Sequence, residues 1–256
     1  MMDSTTPWRI ILLDETESTN RTMIDRFARI SLERLVVVAD HQVAGRGRRG
    51  RSFYDIPRSG LACSVLVHLP RQAAINLLPL AVANAAVLAV RALGASGIVL
   101  KWPNDLMVGG GKLGGILVDG SFDGTTYQGV LGLGLNLTAT PTLVDGRTLS
   151  RLIDTLDGYT GEDFFSLRDT LLLNYLRELN DQILRLLEGR TESVLASYRE
   201  FSSTLGRQVR ILRPEGEVIG LAEDVDQEGC LVVKTVSGRI ALHVGDVEHL
   251  GVVGDL

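Results

Sequence analysis

Hydrophobic and polar positions along this chain fall into two regimes. Up to about residue 205, short β-rich apolar runs alternate with longer stretches of helical period. Beyond Gly206 only short β-type runs recur, separated by turn formers. In the first regime, residues 8–13, 35–39, 60–69, 98–101, 113–118 and 127–137 read as strands. Within 60–69, Cys63, Val65 and Val67 alternate with Ser64, Leu66 and His68, the period of a strand with two different faces. Gly129, Gly132 and Gly134 in the last of these strands mark a place where backbone or ligand approaches closely. A helix is predicted from Ser18 or Thr19, which would cap it, to about residue 28. Another covers 73–93 and stops at Gly94. Two more cover about 163–187 and 192–204. In the second regime, 208–213, 218–225, 230–235 and 239–244 read as the strands of a small barrel. The pattern therefore predicts an α/β unit over residues 1–205 and a β domain over 206–256, with no internal repeat or low-complexity segment.

Composition agrees with an ordinary globular protein. The 256 residues are 45% hydrophobic and 22% charged, with a formal net charge of -5. The two cysteines, Cys63 and Cys230, match no metal-ligand spacing and fit a reduced, cytoplasmic setting. The start of the chain lacks the regions of a signal peptide. The apolar stretch 73–93 contains Asn76, Pro79, Asn84 and Arg91, so it reads as a buried helix and no membrane partner is expected. Lysine is rare: 23 of the 26 basic residues are Arg, and two of the three lysines, Lys101 and Lys112, lie within twelve positions. A lysine is a compact charge on a flexible stem, so these positions suit chemistry a guanidinium serves poorly.

Two dense clusters carry the candidate chemistry. Residues 45–51 place Arg46, Arg48, Arg49 and Arg51 among Gly45, Gly47 and Gly50. Four guanidinium groups that close repel one another unless an anion stands among them. Glycine lets the main chain approach such an anion. The loop is thus expected to be loose when empty and to close over a phosphate or carboxylate. A nucleic-acid arm is the bland alternative, but the chain as a whole is acidic rather than basic, so nucleic acid is not expected as a partner. The three glycines satisfy G-x-G-x-x-G after a strand, yet 51–60 holds turn formers and no helical period, which excludes a dinucleotide-binding turn. The second cluster is Lys101-Trp102-Pro103-Asn104-Asp105, a turn after a strand, with Lys112 close behind among Gly109, Gly110, Gly111, Gly114 and Gly115. The lysine neutralises an anion, the amide orients a phosphate oxygen, and Asp105 either helps hold Mg²⁺ or positions the lysine. Two cationic, glycine-flanked loops suit a nucleoside triphosphate and a second anionic substrate, as in acyl adenylation. The four histidines show no ligand spacing and read as structural or solvated.

The same segments resemble the signature motifs of the biotin protein ligases. Residues 45–51 and 101–106 look like the two main motifs. Residues 112–118, 132–136 and Glu17-Ser18-Thr19-Asn20 are similar to three more, in family order. The resemblance implies a mixed sheet with flanking helices in the class II synthetase-like ligase fold, followed by an SH3-like barrel. It implies ATP and Mg²⁺ as the cofactors and biotin as the substrate. Biotinyl-5′-AMP and pyrophosphate would form, and a lysine of a biotin carboxyl carrier protein would then take the biotin. Ser18, Thr19, Gln42, Gly45 and Arg46 would contact biotin, and Gly114, Gly115, Gly132 and Gly134 would line its tunnel. Lys101 would bridge the biotin carboxylate and the α-phosphate. Arg48, Arg49 and Arg51 would close over the phosphates, with Phe53, Asn104, Lys112 and Asn136 also on ATP. Lys101 and Arg48 are the expected catalytic pair.

Two departures from the family pattern stand out. Phe53 replaces the tryptophan that many members stack on adenine, which reduces area and removes the indole donor. Seven residues precede Trp8, so no helix-turn-helix repressor domain is expected. The chain is expected to act as a monomer or a homodimer. A lipoate or octanoate ligase and a biotin sensor without chemistry remain as alternatives.

Overall fold

The computed structural model describes residues 7–27, 34–144, 146–157, 159, 163–243 and 245–250. Seven strands form a mixed sheet: β1 (Arg9–Leu13), β2 (Leu35–Ala39), β3 (Gly60–Pro70), β4 (Val99–Lys101), β5 (Asp105–Val108), β6 (Gly111–Asp123) and β7 (Thr126–Asn136). Their spatial order is β1-β2-β3-β7-β6-β5-β4, with β1 and β2 parallel and every other pair antiparallel. A two-stranded hairpin follows, β8 (Leu143–Val144) and β9 (Arg147–Thr148). The last five strands are β10 (Gln208–Arg213), β11 (Gly216–Val225), β12 (Leu231–Thr235), β13 (Gly238–Leu242) and β14 (Asp246–His249). They pair antiparallel in the order β13-β12-β11-β10-β14, the SH3-like unit expected after Gly206.

The large sheet owes its function to alternation. On β7 the odd positions Leu131, Leu133 and Leu135 enter the main core. The even positions Val130, Gly132, Gly134 and Asn136 therefore face the other side. Three helices cover the leucine side: α2 (Leu78–Arg91), α3 (Phe164–Leu187) and α4 (Thr191–Phe201). Helix α2 is apolar on nearly all sides because it lies between the sheet and α3 and α4. Its one deeply buried polar side chain, Asn84, donates to Gln182 Oε1 at 3.3 Å and to the Val194 carbonyl at 2.8 Å. Asn84 thereby joins the three helices. Asp163 caps α3 by accepting from the Ser166 N–H at 3.1 Å. No helix of the described residues is long and apolar enough to cross a membrane.

Several elements differ from the sequence reading. The first helix, α1 (Thr19–Thr22), passes into a π-helical turn at Met23–Phe27, and residue 28 lies outside the described residues. Ser18 occupies the N-cap position but its side chain makes no capping bond; it faces the cavity described below. Helix α4 ends at Phe201, because Ser203 N–H turns away to the Leu100 carbonyl at 2.7 Å. Strands β5, β8, β9 and β14 are too short to carry a readable period. Val244, the expected end of the fourth barrel strand, lies outside the described residues.

The small sheet is fastened to the large one at the end of β4. Thr204, fully buried, accepts from the Trp102 N–H at 3.0 Å and contacts His249 Nε2 at 3.2 Å. Trp102, joined to Pro103 by a cis peptide bond, points its indole N–H at the Gly229 carbonyl. Replacing Thr204 by Val keeps the volume but strands a buried N–H, at a cost of about 1–3 kcal/mol; urea unfolding of Thr204→Val measures it. Burial, then the charges of Lys101 and Arg207, lower the His249 pKa to about 4. A histidine held neutral in the fold but protonated when unfolded stabilises the fold above pH 6.5 and loses that contribution as pH falls toward 4. The melting temperature is therefore expected to fall across this window, and to fall less in His249→Gln.

Candidate active site

The glycine side of the large sheet forms the floor of a cavity of about 450 Å³. The register sets Ser64 and Leu117 opposite Gly132, and Ala62 and Gly115 opposite Gly134. A methyl group at Gly134 would lie 2.6 Å from the Phe53 ring, so glycine there is what seats the ring on the sheet. At Gly132 it would lie 2.3 Å from Asn20 Oδ1. Gly114 and Gly115 complete the lining on β6.

A polar network closes one end of the cavity. Gln42, mostly buried, accepts from the Thr19 N–H at 2.9 Å and from Thr19 Oγ1 at 3.2 Å. Both bonds use its oxygen, so its amide NH₂ stays available as a donor. Ser64, fully buried, links Thr19 Oγ1 at 2.8 Å and Asn20 Oδ1 at 2.5 Å. Asn20 in turn donates to Asp119 Oδ2 at 2.8 Å. The Gln42 N–H points at the Asp55 carboxylate at 3.1 Å. Burial raises the Asp55 pKa, and the Gln42 N–H and His41 oppose that rise. This end offers fixed donors and acceptors, among them the free Gln42 NH₂, to a small polar group.

The other end is cationic. The arginine loop is a tight hairpin: Phe53 N–H bonds the Gly45 carbonyl at 2.8 Å and Gly47 N–H the Arg51 carbonyl at 2.7 Å. Its tip turns through Arg49 and Gly50, both at positive φ, 57° and 74°. Arg49 and Arg51 both bond Asp246 of β14, Arg49 at 3.5 Å. The loop is therefore held by a carboxylate of the small sheet, where the sequence reading expects it loose. Arg46 and Arg48 form no ion pair among the described residues. Burial lowers the Arg48 pKa, partly offset by Asp246 and Asp105. A guanidinium stays charged nonetheless.

Lys101 ends β4 and faces the same cavity, without an ion pair among the described residues. Burial lowers its pKa, with Asp105 opposing. Asp105 bonds Lys112 Nζ at 2.6 Å, so it positions Lys112 directly rather than Lys101. Asn104 spends its NH₂ on the Ile116 carbonyl at 2.9 Å, and Asn136 spends its own on the carbonyls of Lys112 and Ser150. Both amides brace the turns around Lys112 and keep their oxygens.

Every candidate from the sequence lines this cavity except Gly45. A methyl group at Gly45 would fall 2.5 Å from the Phe53 carbonyl, so that glycine closes the base of the hairpin instead. Sequence reasoning missed Ser64 and Asp246. Ser64 had only its place in an alternating strand as a signal, and Asp246 lies 195 residues from its partner Arg51 with no signal at all. Asp246→Asn is expected to raise deuterium exchange at amides 47–51 severalfold in the unliganded protein and to leave β3 and β7 unchanged. Equal exchange at 47–51 would show that the hairpin holds itself.

Comparison with known proteins identifies this arrangement. The biotin/lipoate A/B protein ligase family model matches residues 12–136, and the biotin protein ligase C-terminal domain model matches residues 204–250. The biotin--[acetyl-CoA-carboxylase] ligase of Mycobacterium tuberculosis is 35% identical over 95% of this chain and 90% of its own length. The bifunctional ligase/repressor BirA of Escherichia coli is 30% identical over 88% of this chain and 69% of its own. The biotin protein ligase of Aquifex aeolicus, solved with biotin and ATP, shares the fold at a TM-score of 0.74, with 21% identity over 93% of this chain and 97% of that one. The chain belongs to the biotin protein ligases of the biotin/lipoate A/B protein ligase family.

Proposed function

We propose that this protein joins biotin to ATP as biotinyl-5′-AMP and passes the biotinyl group to a lysine of a biotin carboxyl carrier protein. The observation that carries the reading is one cavity with a small polar network at one end and a cluster of cations at the other, of which Arg48 and Lys101 have no ion pair among the described residues. Its two ends match the two ends of a biotinyl-adenylate. Solved relatives support it: the Aquifex protein was crystallised with biotin and ATP, and the Leishmania major ligase with biotinyl-5-AMP.

In this reading Ser18, Thr19, Gln42 and Arg46 contact the biotin ring, over a tunnel floored by Gly114, Gly115, Gly132 and Gly134. Gly45 acts by shaping the hairpin beside it. The biotin carboxylate oxygen attacks the α-phosphorus, the bond to the β-phosphate oxygen breaks, and pyrophosphate leaves. Lys101 holds the carboxylate against the α-phosphate and balances charge building on its oxygens. Arg48, Arg49, Arg51 and Lys112 take the phosphates; Phe53, Asn104 and Asn136 complete the nucleotide side. The acceptor ε-amine then attacks the acyl carbon and AMP leaves. We assign the reaction to residues 1–205 and a supporting part of the cavity lining, Gly245, Asp246 and Val247, to the unit over residues 206–256.

Mg²⁺ finds no cage in these residues. Among the described residues no three His, Cys, Asp or Glu side chains gather, and Asp105 is engaged by Lys112. A divalent ion entering with ATP would be held chiefly by the phosphates and water.

Biotin-dependent exchange of labelled pyrophosphate into ATP tests the reading, with lipoate and octanoate in parallel. Exchange with biotin alone is expected. Exchange with lipoate alone would reassign the substrate, and no exchange with any acid would make the protein a sensor. Lys101→Ala is expected to lower the exchange rate by about 10²-fold or more. Near wild-type exchange in that variant would remove Lys101 from the chemistry.

A further inference from the structure

The β8–β9 hairpin carries a cation that no motif contains. Arg147 opens β9 and faces the cavity that holds Lys101 and Lys112. The root of the hairpin is fixed to the strand of Lys112. Ser150 N–H bonds the Lys112 carbonyl at 2.9 Å, Ser150 Oγ bonds the Val108 carbonyl at 2.9 Å, and Leu149 bridges to Lys112. A methyl group at Gly111 would lie 2.2 Å from Ser150 Oγ, so hairpin and sheet approach as closely as backbone allows. The turn between the strands passes through Gly146 at φ 73°. Arg147 is thus held over the cationic end of the cavity although its side chain is exposed.

Its electrostatics point the same way. Arg147 makes no ion pair among the described residues. Its charge is felt at Lys101: after burial, and against the pull of Asp105, it is among the groups that lower that ammonium's pKa. Asp105 and Glu248 oppose that effect, and an anion bound between the two cations would relieve their repulsion further. A guanidinium offers two parallel donors, the geometry of a phosphate edge.

We propose that Arg147 is a further binding residue for the β- and γ-phosphates of ATP, and for the pyrophosphate they become. The inference rests on the adenylating role argued above. With Lys101 on the α-phosphate, the departing phosphates extend toward the neighbouring cations, of which Lys112 shares its charge with Asp105. Arg147 supplies the uncompensated charge on the hairpin side, opposite Arg48 on the loop side.

The test is pyrophosphate exchange by Arg147→Ala and Arg147→Lys in the full chain. The KM for ATP and the KM for pyrophosphate are each expected to rise about tenfold in Arg147→Ala, the scale of one charge-assisted contact. The lysine variant should recover part of the loss, and the KM for biotin should hold. Unchanged KM values for ATP and pyrophosphate would overturn the proposal. So would an equal rise in the KM for biotin, which would mean a distorted cavity, or a defect confined to transfer, which would make Arg147 a dock for the acceptor. Absence of exchange in the wild-type protein would instead overturn the adenylating role itself.

Discussion

Positive charge gathered where the protein does not fully neutralise it is the constraint on which the rest of this structure depends. Arg49 and Arg51 share one carboxylate, Asp246, and Lys112 has Asp105. Arg46, Arg48 and Lys101 face the same cavity without an ion pair among the described residues. Such a cluster opposes its own assembly, and folding has to hold it by contacts elsewhere. The hairpin bonds of the arginine loop, the buried Trp102 turn and the braced root of Lys112 are those contacts. What they preserve is a site whose electrostatic energy falls when an anion enters.

The floor of the cavity follows from a different constraint. A β-strand gives alternate residues to opposite faces, so β7 must serve the core and the site with one sequence. Leucine at the odd positions fills the helix side, where volume stabilises. Glycine at 132 and 134 empties the other side, where volume would collide with Asn20 and Phe53. A substitution at a leucine weakens the fold and one at a glycine fills the site, although the residues are adjacent in sequence.

Local and periodic features of this chain are legible before the structure is seen. The strand at 60–69, the helix over 163–187 and the change of regime near Gly206 follow from period and turn chemistry alone. The arginine loop and the lysine turn stand out because their residue types are improbable in a solvated loop at that spacing. Partnerships across long separations are not legible. Asp246 lies far along the chain from the arginines it holds, and nothing in its own neighbourhood marks it. Asp105 has two lysines within reach of its sequence position, and only the bulge between β5 and β6 decides that Lys112 takes it. The short strands β5 and β14 exist because longer neighbours offer them an edge, which is tertiary information.

These long-range contacts make the small sheet part of the site rather than an appendage. It supplies Asp246 to the arginine loop, the Gly229 carbonyl to Trp102 and His249 to Thr204. The last contact bears on the charge of the site. Burial, Lys101 and Arg207 together hold the His249 pKa near 4, so this imidazole is neutral at physiological pH. A charged imidazole would add another cation next to Lys101 and raise the repulsion that the fold already has to contain. A neutral one leaves the charge of Lys101 directed at whatever anion occupies the cavity. The same burial that lowers the proton affinity of Lys101 also strengthens its field on a bound carboxylate or phosphate. The small sheet stands at that corner, with Gly245, Asp246 and Val247 in the cavity lining and Glu248 near enough to raise the same ammonium's pKa.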